Sequence, residues 1–288
     1  MWQNSYDGSP SLYLVPTPIG NMEDITLRAI KTLKEVDVIF AEDTRVTLQL
    51  LNYFDIKNRV ISLHNYNEDK VRDVVLDFLV NKKNVAIVTD RGTPLISDPG
   101  YKTVKYIKDH GYNVIALPGA CAMIPAMIAS GISSVHFLFY GFLDSRDSAM
   151  VKELSLLSSC DYPIIFYEAP HRLIKTLKNM LSVFGNRNIS ISKEISKLHE
   201  MIFTGTLEEA ISLIKDVKGE FVIVVDKSYD VDNNNDIDIM DSISMYVKSG
   251  LSIMDSIKRV ARDKGMSKSD VYKYYIERKN NEISSWFR

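Results

Sequence analysis

The charged residues Glu42, Asp43 and Arg45 directly follow a largely apolar segment, residues 36–41, that has the composition of a buried strand. A carboxylate at a strand end can accept a proton from a substrate, and an arginine there can hold a phosphate through paired hydrogen bonds. The alternative is an ion pair, formed by Asp43 with Arg45 or with Arg172. The motif predicts either acid–base chemistry on a phosphate-bearing substrate or a local salt bridge.

Two more groups of charged residues lie at predicted strand ends. His171 and Arg172 come shortly after a strand-like segment that ends at Glu168. Lys193 and Glu194 are the last two residues of another strand-like segment. Charged side chains at strand ends that face a cleft between domains rarely serve packing alone. Lys193 is therefore the second candidate for a general base, after the glutamate of the first group.

The elements that must position these groups are strands that end in loops rich in glycine and proline. The apolar run Val85–Val88 leads into Thr89–Gly100, which contains two glycines and two prolines, and the same transition occurs at Leu12–Asn21 and Val114–Ala122. This pattern is typical of an α/β fold in which parallel strand ends meet at one ligand-binding crevice. The loops match neither the dinucleotide nor the Walker glycine pattern, which argues against a nucleotide phosphate site.

Five segments follow one another with specific spacing: Leu14–Thr26, Ala41–Arg45, Thr93–Gly100, Leu117–Gly119 and Phe166–Arg172. In order and spacing they resemble the ribosomal RNA small subunit methyltransferase I family, which belongs to the tetrapyrrole-methylase superfamily of S-adenosylmethionine enzymes. The resemblance implies two α/β domains of the tetrapyrrole-methylase type with the cofactor cleft between them. It also implies S-adenosylmethionine-dependent 2′-O-methylation of a cytidine ribose in small-subunit (16S) ribosomal RNA.

The resemblance implies roles for particular residues as well. Those that map onto the superfamily's cofactor positions are Ile19, Arg91, Gly92, Thr93, Ile96, Cys121, Ala122 and Glu168. Small residues suit such positions because a Cβ would block a ligand that the backbone binds. The candidates for the general base are Glu42 and then Lys193. The candidates for substrate binding are Arg45, His171, Arg172 and Glu194.

Two positions depart from the family pattern. Arg91 stands where a small residue is usual, and Pro16 stands where glycine is usual. Arg91 either contacts the cofactor carboxylate or faces solvent, and the sequence leaves both open. Neither change removes a group that methyl transfer requires.

Periodicity divides the chain into four segments. Residues 1–118 and 119–229 alternate strands with helices and predict two α/β domains. The acidic, asparagine-rich residues 230–240 predict a linker, and residues 241–288 predict a small basic helical domain.

The last segment resembles a helix-turn-helix. Ser252–Lys264 and Lys268–Arg278 have helical spacing, with Ser267 as a candidate N-cap. Residues 248–279 contain nine Lys and Arg against four Asp and Glu, although the whole chain has a net charge of −2. Such a local surplus favours contact with RNA phosphates, although packing is the usual role of a helical hairpin.

Composition predicts a soluble cytoplasmic protein. The 288 residues are 45% hydrophobic and 25% charged, as in ordinary globular proteins. Cys121 and Cys160 have no metal-ligand spacing and predict reduced thiols, so no metal is expected. The chain has no apolar run long enough to span a membrane and no secretory signal. A homodimer is expected by analogy with the superfamily alone.

Three functions fit the sequence. Methylation of small-subunit ribosomal RNA, free or within the 30S subunit, accounts for all five segments and the basic tail. Methylation of a tetrapyrrole or another small molecule shares the fold and cofactor, but it predicts no basic appendage. A non-catalytic RNA-binding assembly factor would keep the fold and bind no cofactor.

Overall fold

The protein folds into two compact units, which divide between Lys227 and Ser228. The computed structural model describes residues 2–5, 7–214, 218–228, 238–248 and 251–286, and for residues 248, 262 and 280–286 it describes the backbone alone. Within these ranges no helix is long and apolar enough to cross a membrane.

A parallel sheet occupies the first half of the first unit. Its strands are β1 (Ser11–Leu14), β2 (Val38–Ala41), β3 (Val60–Ser62), β4 (Val85–Val88) and β5 (Asn113–Ala116). They lie in the order β3-β2-β4-β1-β5, and all neighbouring pairs are parallel. The helices between them are α1 (Leu27–Glu35), α2 (Thr44–Tyr53), α3 (Glu68–Val80) and α4 (Tyr101–Asp109). The predicted α/β class is confirmed.

The apolar runs of this sheet are buried on both faces. All four residues of β2 and of β4 are buried, as expected when helices cover both sides of a parallel sheet. The strand predicted to begin at Val36 begins two residues later. The reason is that the Val36 N–H still donates to the Thr32 carbonyl and so closes α1.

A mixed sheet occupies the second half of the first unit. Its strands are β6 (Leu138–Phe142), β7 (Ile164–Glu168), β8 (Asn188–Lys193), β9 (Met201–Thr206) and β10 (Phe221–Val225), in the order β6-β7-β10-β8-β9. Only the β6–β7 pair of this sheet is parallel. The accompanying helices are α5 (Met123–Ala129), α6 (Asp147–Leu157), α7 (Leu173–Phe184) and α8 (Leu207–Leu213). The domain boundary at residue 118 stays a prediction.

The second unit contains three described helices, α9 (Ile239–Lys248), α10 (Ile253–Asp263) and α11 (Lys268–Trp286). The two predicted helices are present, and α9 is an addition to them. Ser267 caps α11, because its Oγ accepts a hydrogen bond from the Asp270 N–H at 3.2 Å. Buried Ile243, Ile257 and Val271 belong to the core of this unit. Residues 230–237 of the predicted linker lie outside the described residues. The last two linker residues, 239 and 240, begin α9.

Candidate active site

Three loops at the carboxyl ends of adjacent strands β4, β1 and β5 bind one another directly. Thr17 and Gly92 exchange backbone hydrogen bonds of 2.9 and 3.0 Å. Thr93 Oγ1 donates to the Ala120 carbonyl at 3.0 Å. A Cβ on Gly119 would lie only 2.5 Å from Pro16 Cβ, so glycine lets the proline ring of the first loop pack against the third. These contacts fix the edge of the crevice.

A cavity of about 350 Å³ opens beside these loops. Its wall also includes residues of the second sheet, at the end of β7 and the start of β10. The lining residues are Ile19, Arg91, Gly92, Thr93, Ile96, Ser97, Asp98, Cys121, Ala122, Phe142, Tyr167, Glu168, Ala169, Pro170, Ile195, Glu220, Phe221 and Val222. All eight residues predicted to bind the cofactor are among them. The structure brings them together, and their contacts with a cofactor stay a prediction.

The cavity fits a small cofactor in size and in backbone geometry. Its volume lies in the usual range of small-molecule sites, roughly 300–1,000 Å³. Gly92 has φ +84°, and a Cβ there would lie 3.3 Å from Ile19 Cγ2 and 3.7 Å from the Ala120 carbonyl oxygen. Glycine at this position therefore keeps the backbone of the loop open to a ligand.

Arg91 is bound by a protein carboxylate. It forms a salt bridge with Glu220, and Lys197 binds the other oxygen of the same carboxylate at 3.0 Å. Lys197 also binds Glu194 Oε1 at 2.9 Å. Its guanidinium lines the cavity and pairs across to the second sheet while its side chain is 53% exposed, and a contact with the cofactor carboxylate stays a prediction.

Glu168 is a buried carboxylate whose oxygens are already bound. It accepts hydrogen bonds from the Ala169 N–H at 2.8 Å and from Thr176 Oγ1 at 2.5 Å. Arg172 Nε lies 3.2 Å from Glu168 Oε1, and Arg172 also donates to the Leu143 carbonyl at 2.8 Å. These contacts give Glu168, which lines the cavity, and Arg172 a structural role. Substrate binding by Arg172 would require it to leave them.

In the Glu42–Arg45 motif, the ion-pair alternative describes the structure. Arg45 Nη2 lies 2.6 Å from Asp43 Oδ2, whereas Arg172 pairs with Glu168 instead of Asp43. The hydrogen bonds from Arg45 hold the pKa of Asp43 at about 2. The Arg45 side chain is 86% exposed, so it remains accessible to a large substrate.

Glu42 contacts the Thr89 hydroxyl, whereas the adjacent Asp43 pairs with Arg45. Thr89 Oγ1 lies 3.2 Å from Glu42 Oε2 and 2.8 Å from Asp98 Oδ2. Partial burial, followed by the negative charges of Asp98 and Asp90, raises the pKa of Glu42. Burial also raises the pKa of Asp98, and Asp90 adds to the effect. Glu42 and Asp98, whose pKa values are both raised, thus contact the same Thr89 hydroxyl.

A second cavity of about 190 Å³ lies next to the loops of β1 and β4 and to helix α2. Thr89, Asp90 and Arg91 form part of its wall, and Arg91 also lines the larger cavity. The remaining lining residues are Thr17, Pro18, Gly20, Met22, Val46, Thr47, Gln49 and Leu50.

Six predicted residues line neither of these two cavities, namely Glu42, Arg45, His171, Arg172, Lys193 and Glu194. Lys193 ends β8, and His171 is exposed in a short 3₁₀ turn after β7. Partial burial raises the pKa of Glu194, but hydrogen bonds from Lys197 and from the Glu220 N–H outweigh it and hold that pKa low. Glu194 therefore supports the Lys197–Glu220 contact at the cavity rim.

Several lining residues were not singled out from the sequence. Phe142, Tyr167, Ile195, Phe221 and Val222 come from strands or the segment after β8, and their apolar runs carry no signal that distinguishes a cavity wall from a core. Burial, followed by the Cys121 thiol 3.9 Å away, raises the pKa of the Tyr167 hydroxyl. By contrast, the sequence does single out the loop that contains Thr89 and Asp98, because this loop is rich in glycine and proline.

Among the described residues, no three or more His, Cys, Asp or Glu side chains lie together so that they could hold a metal ion.

The chain matches a known protein family over most of its length. A model described as Tetrapyrrole (Corrin/Porphyrin) Methylases matches residues 11–211. In fold, the chain is similar to cobalt precorrin-4 methyltransferase, with a TM-score of 0.57 and 17% identity over 78% of this chain and 98% of that one. It is also similar to uroporphyrin-III C-methyl transferase from Thermus thermophilus complexed with S-adenosyl homocysteine, with a TM-score of 0.54 and 19% identity over 74% of this chain and 96% of that one.

Relatives of higher identity span nearly the whole chain. Ribosomal RNA small subunit methyltransferase I of Halalkalibacterium halodurans is 41% identical over 95% of this chain and 98% of its own length. The protein of the same name from Bacillus subtilis is 41% identical over 95% of this chain and 97% of its own. That of Vibrio cholerae is 38% identical over 94% and 96%. The chain therefore belongs to the tetrapyrrole methylase family and, within it, to the family of ribosomal RNA small subunit methyltransferase I.

Proposed function

We propose that the protein transfers a methyl group from S-adenosylmethionine to the ribose 2′-hydroxyl of a cytidine in small-subunit (16S) ribosomal RNA. The observation that carries the proposal is 41% identity, over nearly the full length, to relatives that bear the name ribosomal RNA small subunit methyltransferase I. The cavity at the loop edge supports it, because it offers a site of the right size beside charged groups suited to an RNA acceptor.

The methyl donor is assigned to the cavity of about 350 Å³. The proposed contacts come from the backbone of the loops that carry Gly92, Thr93 and Ala122, with Ile19 and Ile96 forming the apolar wall. The bound donor supplies an electrophilic methyl carbon. The protein must then hold an acceptor oxygen about 3 Å from that carbon and in line with the bond that breaks. Interlocked loops suit this task, because small displacements of either group slow the reaction.

The RNA is assigned to the surface beside the same strand ends, where exposed Arg45 and His171 are available to phosphates. Residues 248–279 of the second unit, which carry the basic surplus, provide a further contact. Its exposed cations include Lys258 and Lys273, and exposed Tyr272 adjoins the latter. Tyr275 instead packs against the core of the unit. The assembled 30S subunit as substrate, a homodimeric enzyme and a cytoplasmic location are parts of the same proposal.

The test is transfer of a labelled methyl group from S-adenosylmethionine to small ribosomal subunits that lack the modification. Digestion to nucleosides and mass spectrometry then identify the product. A 2′-O-methylated cytidine is the expected result. Donor binding in calorimetry without any label in RNA would favour a small-molecule acceptor, and no donor binding would favour a non-catalytic assembly factor. Light scattering during size-exclusion chromatography tests the dimer.

A further inference from the structure

The Thr89 hydroxyl lies between two carboxyl groups and has a single hydrogen to donate. Its oxygen is 2.8 Å from Asp98 Oδ2 and 3.2 Å from Glu42 Oε2. A hydroxyl can donate one hydrogen bond and accept others, so both contacts are hydrogen bonds only when one carboxyl carries a proton. Both hydrogen bonds therefore form only after the two carboxyls have taken up one proton. Before that uptake, two negative charges lie close to the same hydroxyl, which is electrostatically unfavourable.

The position of this pair relates it to both cavities. Asp98 lines the larger cavity, which is assigned to the methyl donor. Thr89 lines the smaller cavity. The carboxyl–hydroxyl contact thus lies in the wall between the two spaces, where an acceptor hydroxyl that approaches the donor from the smaller cavity would meet a carboxylate.

The surroundings of the pair make its carboxylates more basic than usual. Partial burial raises the pKa of both Glu42 and Asp98, and Asp90 raises each further. Tyr167 also faces Asp98, and its own raised pKa keeps it neutral. The nearby cation Arg45 is bound to Asp43 and does not neutralise the pair. Uptake of one proton relieves the repulsion between two close carboxylates, which is the usual origin of a basic carboxyl pair.

We propose that Asp98 is the general base of the reaction, with Glu42 and Thr89 as the residues that position and hold the transferred proton. This rests on the proposed 2′-O-methyl transfer. The proton passes from the ribose hydroxyl to the Asp98 carboxylate, and the freed electron pair of the ribose oxygen forms the bond to the methyl carbon. The carbon–sulfur bond breaks with its electron pair on sulfur, which leaves a neutral thioether. Thr89 accepts from protonated Asp98 and donates to Glu42.

The first experiment measures kcat, KM and donor affinity of Asp98→Asn with modification-free small subunits. General-base catalysis contributes about 10²–10⁴-fold, so kcat should fall by that factor while the donor dissociation constant in calorimetry stays unchanged. Asp98→Glu should recover part of the rate. The matched control is Asp109→Asn, which removes an exposed carboxylate of α4 that pairs with Lys105 and should leave kcat unchanged.

The second experiment uses the pH profile of Glu42→Gln, which a purely structural role would not move. Loss of the neighbouring negative charge makes Asp98 a weaker base that remains ionised at lower pH. The acidic limb of the kcat profile should therefore move to lower pH, with a smaller loss of rate on the plateau than in Asp98→Asn.

Two results would overturn the assignment. One is a kcat of Asp98→Asn within a few fold of the wild type, and the other is an acidic limb that Glu42→Gln leaves in place. If Asp98→Asn loses donor binding, the Glu42→Gln profile decides alone. Failure of the wild-type protein to methylate RNA would instead overturn the proposed function, so the two failures are distinguishable.

Discussion

Replacement of Gly92 by valine tests the location of the methyl donor. The backbone at Gly92 has φ +84°, which a β-branched residue adopts only with strain. An added Cβ would lie 3.3 Å from Ile19 Cγ2 and 3.7 Å from the Ala120 carbonyl oxygen, both part of the loop edge. The valine methyl groups would then extend into space that the donor is proposed to occupy.

The two consequences of Gly92→Val have different magnitudes and different observables. Left-handed backbone strain costs about 1–2 kcal/mol per non-glycine residue. This strain is present with or without ligand, so it lowers the free energy of unfolding and leaves affinity unchanged. In a unit of this size it corresponds to a fall in Tm of roughly 2–8 °C. Loss of the space that the donor is proposed to occupy acts on donor affinity alone. We expect this affinity to weaken at least tenfold, or by about 1.4 kcal/mol.

Gly111→Val is the matched control. Gly111 has φ +81°, and a Cβ there would meet no atom within 4 Å. Both variants should lose similar stability in thermal unfolding, while only Gly92→Val should weaken S-adenosylmethionine binding in titration calorimetry. If Gly92→Val binds the donor as tightly as Gly111→Val, the donor does not lie against this loop and the assignment of the cavity is wrong.

Three further predictions concern stability and the basic tail. Glu168→Ala should lower the free energy of unfolding by about 3–5 kcal/mol in denaturant titration. The reason is that the substitution leaves Arg172, whose side chain is 17% exposed, without its carboxylate partner. A loss below about 1 kcal/mol would show that the ion pair is no stronger than an exposed one. Glu42→Gln should raise Tm at neutral pH, because burial and then Asp98 and Asp90 raise the pKa of Glu42 and so disfavour its ionised form in the folded state. This gain should vanish below about pH 4, where the unfolded carboxyl is also protonated, and a gain that is independent of pH would contradict the electrostatic cause. Truncation after Asp230 should leave donor affinity unchanged, weaken RNA binding and flatten its salt dependence, and normal RNA binding by the truncated protein would remove the tail from the interface.

Local signals in the sequence predicted most elements of the fold. The run Val85–Val88 is a strand with the bounds that its composition indicates, because a strand buried on both faces needs a continuous apolar segment. The helix predicted over Ser252–Lys264 is shorter by one residue at each end. Helix α9 was not predicted, since it follows directly on an acidic stretch whose composition favours a linker.

The sequence by itself determined the α/β class, the family and the loops that line the cavity, because strand-forming runs and glycine or proline breakers act within a few residues of chain. The partners of the charged residues depended on tertiary structure. Glu42 and Asp98 are far apart in the chain and meet only because their strands β2 and β4 are neighbours that end at the same edge of the sheet. Arg91 reaches Glu220 only because the second sheet lies against that edge. Hydrogen bonding and charge repulsion act over a few ångströms in space, and a linear sequence does not contain those distances.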